Sequence, residues 1–223
     1  MKDQIILSIS TVPDVESLRV IHSLTDLSDE GVFNAVLHLY NQRHGTRDLP
    51  LYQQQIVSIS AVKLNRSGEV SLHHFESENL NEVVLLKRLD ALMAAEVSLI
   101  SWDMSALDQP LINYRLLKHG IVGSNFNGAI NISLKDLLSN SSITAAADLS
   151  GLSLSLGLPD LSELTQKQSI DCYLNKQLQA IHVANQAQAL NTCQIYLKSQ
   201  MIKAEISAAE YKTICDTLAN QTY

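Results

Sequence analysis

The segment that most restricts the fold is the run from residue 4 to residue 11, Gln-Ile-Ile-Leu-Ser-Ile-Ser-Thr, which is rich in β-branched side chains. Such a run, followed closely by Pro13, predicts a buried strand that ends near the proline. Side chains alternate between the two faces of a strand, so Ser8 and Ser10 are expected on the same face. The chain therefore needs a sheet around this strand, with two hydroxyl groups on one side of it.

The remaining pattern places most strands in the first half of the chain and helices in the second. The predicted strands span residues 55–64, 69–75 and 97–100, and the predicted helices span residues 29–42, 80–96, 110–120, 134–139, 145–156, 170–201 and 206–220. Asn79 or Asn81 is expected to cap the helix at 80–96. Pro110 and Gly120 are expected to open and close the next helix. This order predicts one compact α/β domain over residues 1–223, a mixed sheet flanked by helices with a helical C-terminal half.

The charge balance excludes a protein that coats nucleic acid by general electrostatic attraction. The 223 residues include 16 Lys plus Arg and 23 Asp plus Glu, a net charge of -7. Any nucleic-acid contact therefore has to be a local patch. Asp3 and the short apolar run after it do not fit a signal peptide, and no stretch approaches the ~20 apolar residues of a membrane span. We expect a cytoplasmic protein with no membrane partner.

Several short segments carry a family resemblance. They are Thr11-Val12-Pro13-Asp14, Gln55-Ile56-Val57-Ser58-Ile59-Ser60-Ala61-Val62, Ser101-Trp102, Leu107-Asp108-Gln109-Pro110, Tyr114-Arg115-Leu116-Leu117-Lys118-His119-Gly120, Leu190-Asn191-Thr192, Tyr196-Leu197 and Ala204-Glu205-Ile206-Ser207-Ala208-Ala209-Glu210-Tyr211. With these segments in this order, the chain resembles the predicted 3'-5' exonucleases related to the proofreading domain of family B DNA polymerases. The resemblance implies an RNase H-like fold, in which a five-stranded mixed sheet has helices on both faces.

Active members of that family use five catalytic side chains. Strand one carries an Asp-x-Glu pair, an Asp follows strand four, and a late helix carries a Tyr four residues before a last Asp. The four carboxylates hold two divalent ions, and the Tyr orients the attacking water. The resemblance implies that the corresponding residues here are Ser8, Ser10, Asp108, Ala184 and Gln188. Only Asp108 keeps the residue type of the family, so the resemblance implies a degenerate active site.

The loss of carboxylates does not depend on details of alignment. No Asp or Glu occurs in residues 4–13 or in residues 172–204, so no shift of register supplies the missing ligands. Two divalent ions ~3.8 Å apart repel by about 17 kcal/mol at an effective dielectric constant of about 20. Four carboxylates offset that repulsion and one does not. We therefore expect no cofactor, with a weakly held Mg²⁺ or Mn²⁺ as the alternative.

Asp108 has two interpretations. Together with Asp103 it could hold a single divalent ion loosely, since Mg²⁺ and Ca²⁺ accept one or two carboxylates plus waters. Alternatively, its side chain caps the helix that begins near Pro110, where an N-cap stabilises the helix by about 1 kcal/mol.

Trp102, Arg115 and Lys118 are the candidates for contact with nucleic acid. Arg115 and Lys118, with the basic segment 41–47, could form a local patch beside the former substrate groove, and the Trp102 indole could line that groove. The alternatives are a solvated loop at 41–47 and a core position for Trp102.

The histidines are expected to have no special role. His182 lies six residues before Gln188 and therefore about 120° away from it around a helix, which predicts an ordinary histidine on the helix surface. His73 and His74 are neighbours on a strand, so their side chains face opposite ways and do not bind one ion together. We expect both to lie on an edge strand.

Three functions remain open. The first is a catalytically degenerate 3'-5' exonuclease homologue, a pseudoenzyme retained as a nucleic-acid-binding or assembly module, with single-stranded nucleic acid as its ligand. The second is a protein-interaction or self-associating subunit with no nucleic-acid role, whose partner is another protein or a second copy of the chain. The third is a residual metal-dependent 3'-5' exonuclease.

Overall fold

The computed structural model describes residues 2–76, 81–93, 97–161 and 164–221, which are built around a five-stranded sheet. Its strands are β1 (Gln4–Pro13), β2 (Gln54–Leu64), β3 (Val70–Phe75), β4 (Ser98–Ser101) and β5 (Ile130–Ser133). They lie in the order β3-β2-β1-β4-β5. The β3-β2-β1 pairs are antiparallel and the β1-β4-β5 pairs are parallel, so the predicted mixed five-stranded sheet is confirmed.

Helices cover both faces of the sheet. They are α1 (Val15–His22), α2 (Asp29–His44), α3 (Glu82–Leu92), α4 (Gln109–His119), α5 (Leu134–Ser139), α6 (Leu149–Ser155), α7 (Gln166–Leu174), α8 (Leu178–Ile202) and α9 (Ala208–Gln221). Ile5 and Leu7 of β1 face α3 and α4, whereas Ile6 faces the side of α8 and α9. All three side chains are fully buried, which explains why the β1 sequence is apolar on both faces.

The register of β1 places its two serines as the alternation predicts. Ser8 lies opposite Ser60 of β2 and Ser10 lies opposite Ser58. The pairing shifts at an irregularity directly after Ser10. Both serines lie on the face that α8 covers, because they share the alternation of Ile6.

Two helical segments differ from the predicted ones. No helix is predicted from the sequence where α1 lies, but Asp14 caps this helix by accepting a hydrogen bond from the backbone N of Ser17 at 3.2 Å. The helix predicted over residues 170–201 is two helices, α7 and α8. They are separated by a turn in which Lys176 adopts a left-handed φ of 57°.

The start of α3 and the end of α4 follow the expected capping residues. Asn81 caps α3 by accepting a hydrogen bond from the backbone N of Val83 at 3.1 Å, and Gly120 ends α4 with a left-handed φ of 60°. Asn79 and residues 94–96 lie outside the described residues. None of the described helices combines the length and the apolar character that crossing a bilayer requires.

Candidate functional site

Helix α8 meets the sheet through a row of polar side chains. His182, Asn185 and Gln188 follow one another at intervals of three residues, about 60° short of a full turn each time, so the row slants around the helix. Because it slants, its members contact different strands. The polar seam is defined here as this row together with the sheet residues Ser8, Ser10, Ser60 and His74.

Three of the five family positions lie in the polar seam. Ser8 Oγ donates a hydrogen bond to Gln188 Oε1 at 3.0 Å, and Asn185 Nδ2 donates one to Ser10 Oγ at 2.8 Å. Ala184 is half-buried one turn before Gln188. The fold thus brings Ser8 and Gln188 together across 180 residues of chain. All of these groups are uncharged, so they offer no carboxylate to a cation.

An open cleft of about 710 Å³ adjoins the polar seam. Its lining includes Ser8 and Gln188, together with Trp102, Asp103 and Asp108 from the segment that follows β4. The other charged residues of the lining are Lys135, Asp136 and Asp148. The cleft therefore unites most of the residues selected from the sequence, and its described lining has more acidic than basic groups.

Asp108 ends a π-helical turn, Met104–Asp108, between β4 and α4. Its Oδ2 accepts a hydrogen bond from Ser101 Oγ at 2.5 Å, and its side chain makes no hydrogen bond to the described first turn of α4. The predicted capping role is therefore wrong, because the carboxyl group bonds back to β4. Burial raises the pKa of Asp108 to about 7; the Ser101 hydrogen bond opposes this rise, and the nearby charge of Asp103 adds to it.

The cleft does not fit the two divalent ions that the family resemblance implies. Asp103 Oδ2 pairs with Lys135 Nζ at 2.9 Å, so a cation already balances this carboxylate. Asp108 is the one metal-ligand position implied by the family resemblance that has a carboxylate here. Among the described residues, no group of three or more His, Cys, Asp or Glu side chains able to share an ion includes either aspartate. A weakly held Mg²⁺ or Mn²⁺ at Asp108 with Asp103 stays a prediction.

Arg115 lies inside the protein, so its assignment to a nucleic-acid surface is wrong. The residue is 1% exposed. Its guanidinium contacts Glu82 Oε2 at 2.5 Å and Asp14 Oδ2 at 2.8 Å. Lys118 also pairs with Asp14, and His119 Nε2 lies 2.7 Å from Glu82 Oε2. These five residues, called the ion-pair network below, join the start of α1, the start of α3 and one side of α4.

The charges of this network hold Asp14 ionised. Burial by itself would raise the pKa of Asp14, but hydrogen bonds from Lys118, Arg115 and Ser17 lower it to about 2. The Lys118 ammonium is therefore engaged by a buried anion. Trp102 is half-buried, packs against the apolar core beneath α8 and also lines the cleft. Nucleic-acid contact by Lys118 and Trp102 stays a prediction.

His182 is buried, so its assignment to the helix surface is wrong. It is 4% exposed, and its ring packs edge-on against that of His74 with 5.0 Å between centroids. The slanted row reaches as far as β3, the edge strand on which His73 and His74 were expected and are found. Burial lowers the pKa of both His74 and His182. Glu76, directly after β3, lies close enough to His74 and His182 for the three side chains to share a metal ion. Their spacing in the sequence does not indicate this group.

The order of the strands, the helices on both faces and the cleft beside β1 and β4 define an exonuclease-like α/β domain. The family B DNA polymerase from the hyperthermophilic archaeon Pyrobaculum calidifontis is similar in structure over 90% of this chain, with a TM-score of 0.54 and 11% sequence identity. That likeness shows an RNase H-like fold. The chain spans 25% of the polymerase's length.

The sequence pattern of the predicted 3'-5' exonucleases related to the exonuclease domain of PolB matches residues 47–222. The chain therefore belongs to this family, as its motifs indicate. Comparison with curated proteins gives no match.

Proposed function

We propose that this chain is a catalytically degenerate exonuclease homologue that does not cleave nucleic acid. One observation carries the proposal: Ser8 and Gln188, which the family resemblance aligns with metal-binding carboxylates, hydrogen-bond to each other at 3.0 Å. A hydroxyl paired with a carboxamide contributes no negative charge. Asp108 alone does not balance the four positive charges of two divalent ions.

A nuclease assay tests this proposal directly. We expect the purified chain to release no nucleotides from 5'-labelled single-stranded DNA or RNA in Mg²⁺ or Mn²⁺, at a limit at least about 1000-fold below an active relative. Asp108→Ala is the matched control, because activity that survives this change belongs to a contaminating nuclease. Cleavage by the unchanged chain that Asp108→Ala abolishes would contradict the proposal and support a residual metal-dependent exonuclease.

The surface supports an assembly role more than a nucleic-acid role. The described cleft lining is mostly acidic in its charged groups, Arg115 is buried, and Lys118 is paired with Asp14. A phosphate backbone needs several free cationic groups for affinity.

An apolar patch on α1, α4 and the short turn Leu51–Gln53 supports association with a second copy of the chain. Its apolar members are Val20, Ile21, Tyr52, Tyr114 and Leu117, which line a shallow groove. Val20 and Leu117 are each 80% exposed, and contiguous apolar surface of this kind is typical of interaction sites. Glu16 and Lys118 border the groove. A two-fold dimer would bury this same patch on both copies of the chain.

Light scattering over a concentration series tests self-association. We expect the unchanged chain to dimerise. The double variant Val20→Glu, Leu117→Glu places two charges in the apolar patch, so we expect it to raise the dissociation constant of the dimer by at least about 10-fold. Ile202→Glu is the matched control, since Ile202 is 78% exposed and lies outside the patch. A chain that stays monomeric, or a dimer that the double variant leaves intact, would count against this role. Binding of single strands at low salt would favour the nucleic-acid alternative.

A further inference from the structure

Three side chains with metal-binding atoms converge where β3 ends beside α8. They are His74 on β3, Glu76 directly after it and His182 on α8, and one ligand atom from each lies within 4.8 Å of the others. This is the one such group of three or more within residues 2–76, 81–93, 97–161 and 164–221. The three residues come from two segments more than 100 positions apart, so the fold assembles the group.

The hydrogen bonds of the histidines leave ring nitrogens available. Ser60 Oγ lies 2.8 Å from His74 Nδ1. Contact of one ring nitrogen with a neighbouring oxygen is the arrangement that fixes the orientation of a metal-ligating histidine and leaves its other nitrogen for the metal. That other nitrogen, His74 Nε2, is buried without a hydrogen-bond partner in the described residues. A buried nitrogen without a partner is costly, which indicates a missing ligand.

The separation between Glu76 and His182 fits two ligands of one ion. Glu76 Oε2 lies 3.6 Å from His182 Nε2, which is longer than a hydrogen bond. Two ligands that are each about 2.1 Å from a tetrahedral zinc ion lie about 3.4 Å apart. The Glu76 side chain is 56% exposed, so an ion can enter from solvent.

We propose that His74, Glu76 and His182 bind one Zn²⁺ ion, with water in the fourth position. Two imidazoles and one carboxylate are a ligand set that suits zinc, whereas Mg²⁺ and Ca²⁺ prefer oxygen ligands throughout. The ion links the edge strand β3 to α8. None of its three ligands is a degenerate exonuclease position, and His182 precedes Gln188 by six residues, about 9 Å along the helix.

Metal titration of the full chain, stripped with chelator and free of any affinity tag, tests the site. We expect one equivalent of Zn²⁺ to bind and to raise the melting temperature, and we expect Co²⁺ to give the intense visible absorption of a tetrahedral site. Glu76→Gln and His182→Gln should each weaken Zn²⁺ binding by about 100-fold or more, because each removes a direct ligand. His73→Gln is the matched control, since His73 Nε2 contacts Ser71 Oγ at 2.9 Å, away from the group.

Three results would overturn the proposal. They are the absence of a stoichiometric Zn²⁺ site, binding that Glu76→Gln leaves unchanged, and binding that His73→Gln weakens as much as the ligand variants do. Mg²⁺ that matches Zn²⁺ in affinity would overturn the assignment of the metal. If His182→Gln does not fold, Glu76→Gln decides alone, because its largely exposed side chain is not needed for packing.

Discussion

Replacement of Arg115 by methionine is expected to lower the free energy of unfolding by about 3–5 kcal/mol at pH 7. Methionine keeps the length of the side chain but removes its charge. Glu82 then loses its guanidinium partner and keeps His119 and the backbone N–H of Ile56, while Asp14 keeps Lys118 and Ser17. A buried anion that loses its main cation is costly because the groups that remain compensate only part of its charge. Denaturant unfolding followed by circular dichroism measures the change.

Two further variants isolate the effect of the buried charge. Arg43→Met removes an exposed arginine from α2 and is expected to change stability by no more than about 0.5 kcal/mol. Arg115→Met combined with Glu82→Gln should recover part of the loss, because the uncompensated anion is removed as well. A loss below about 1 kcal/mol in Arg115→Met alone is the range of an exposed ion pair and would contradict the role given to the network.

The ion-pair network also determines the pH range in which the stability loss of Arg115→Met changes. The pKa of Asp14 is lowered from its ordinary value of 3.8 to about 2. A carboxylate with a lowered folded-state pKa contributes stability that is present above pH 3.8 and is lost as the pH falls through about 2. The part of the stability difference between the unchanged chain and Arg115→Met that arises from Asp14 should therefore narrow in that acidic range.

Restoration of the family's catalytic residues is expected to create a nuclease. The variant combines Ser8→Asp, Ser10→Glu, Ala184→Tyr and Gln188→Asp, and with Asp108 it again provides four carboxylates and a phenol. We expect Mg²⁺- or Mn²⁺-dependent degradation of single strands from the 3' end, at least about 100-fold faster than background, because two ions can then activate water and stabilise the leaving oxygen. Gel analysis of 5'-labelled oligonucleotides measures it.

A neutral variant of similar size is the control for restoration. Ser8→Asn, Ser10→Gln, Ala184→Phe and Gln188→Asn introduce comparable volumes without any carboxylate or phenol. Activity in this variant would show that shape rather than metal ligation was restored. A folded restored variant that cleaves nothing with either metal would show that these positions do not form the site.

The parts of the fold that sequence predicts correctly are those fixed by short-range signals. The β-branched run of β1 and the left-handed Gly120 act within a few residues, and both are found where expected. Helix α1 was missed because only two of its eight residues, Val15 and Leu18, are buried, and because its cap Asp14 is also held by Arg115, 101 positions further along the chain. No local pattern contains that contact.

The candidate site also has some residues that sequence motifs predict correctly and others that they misplace. Ser8, Ser10 and Gln188 were selected through family motifs, and they meet in the polar seam. His182 was misplaced because helical periodicity finds a buried face by its apolar residues, and the buried row of α8 is polar. Asp108 was misread as a cap because the π-helical turn that redirects its carboxyl group has no distinctive sequence.

The hydrogen bonds between Ser8 and Gln188 and between Ser10 and Asn185 change what holds α8 in place. In a metal-dependent relative, carboxylates from the first strand and the late helix face one another and repel whenever the ions are absent. Here the same surfaces attract each other directly. We expect this part of the scaffold to keep its shape when divalent cations are scarce.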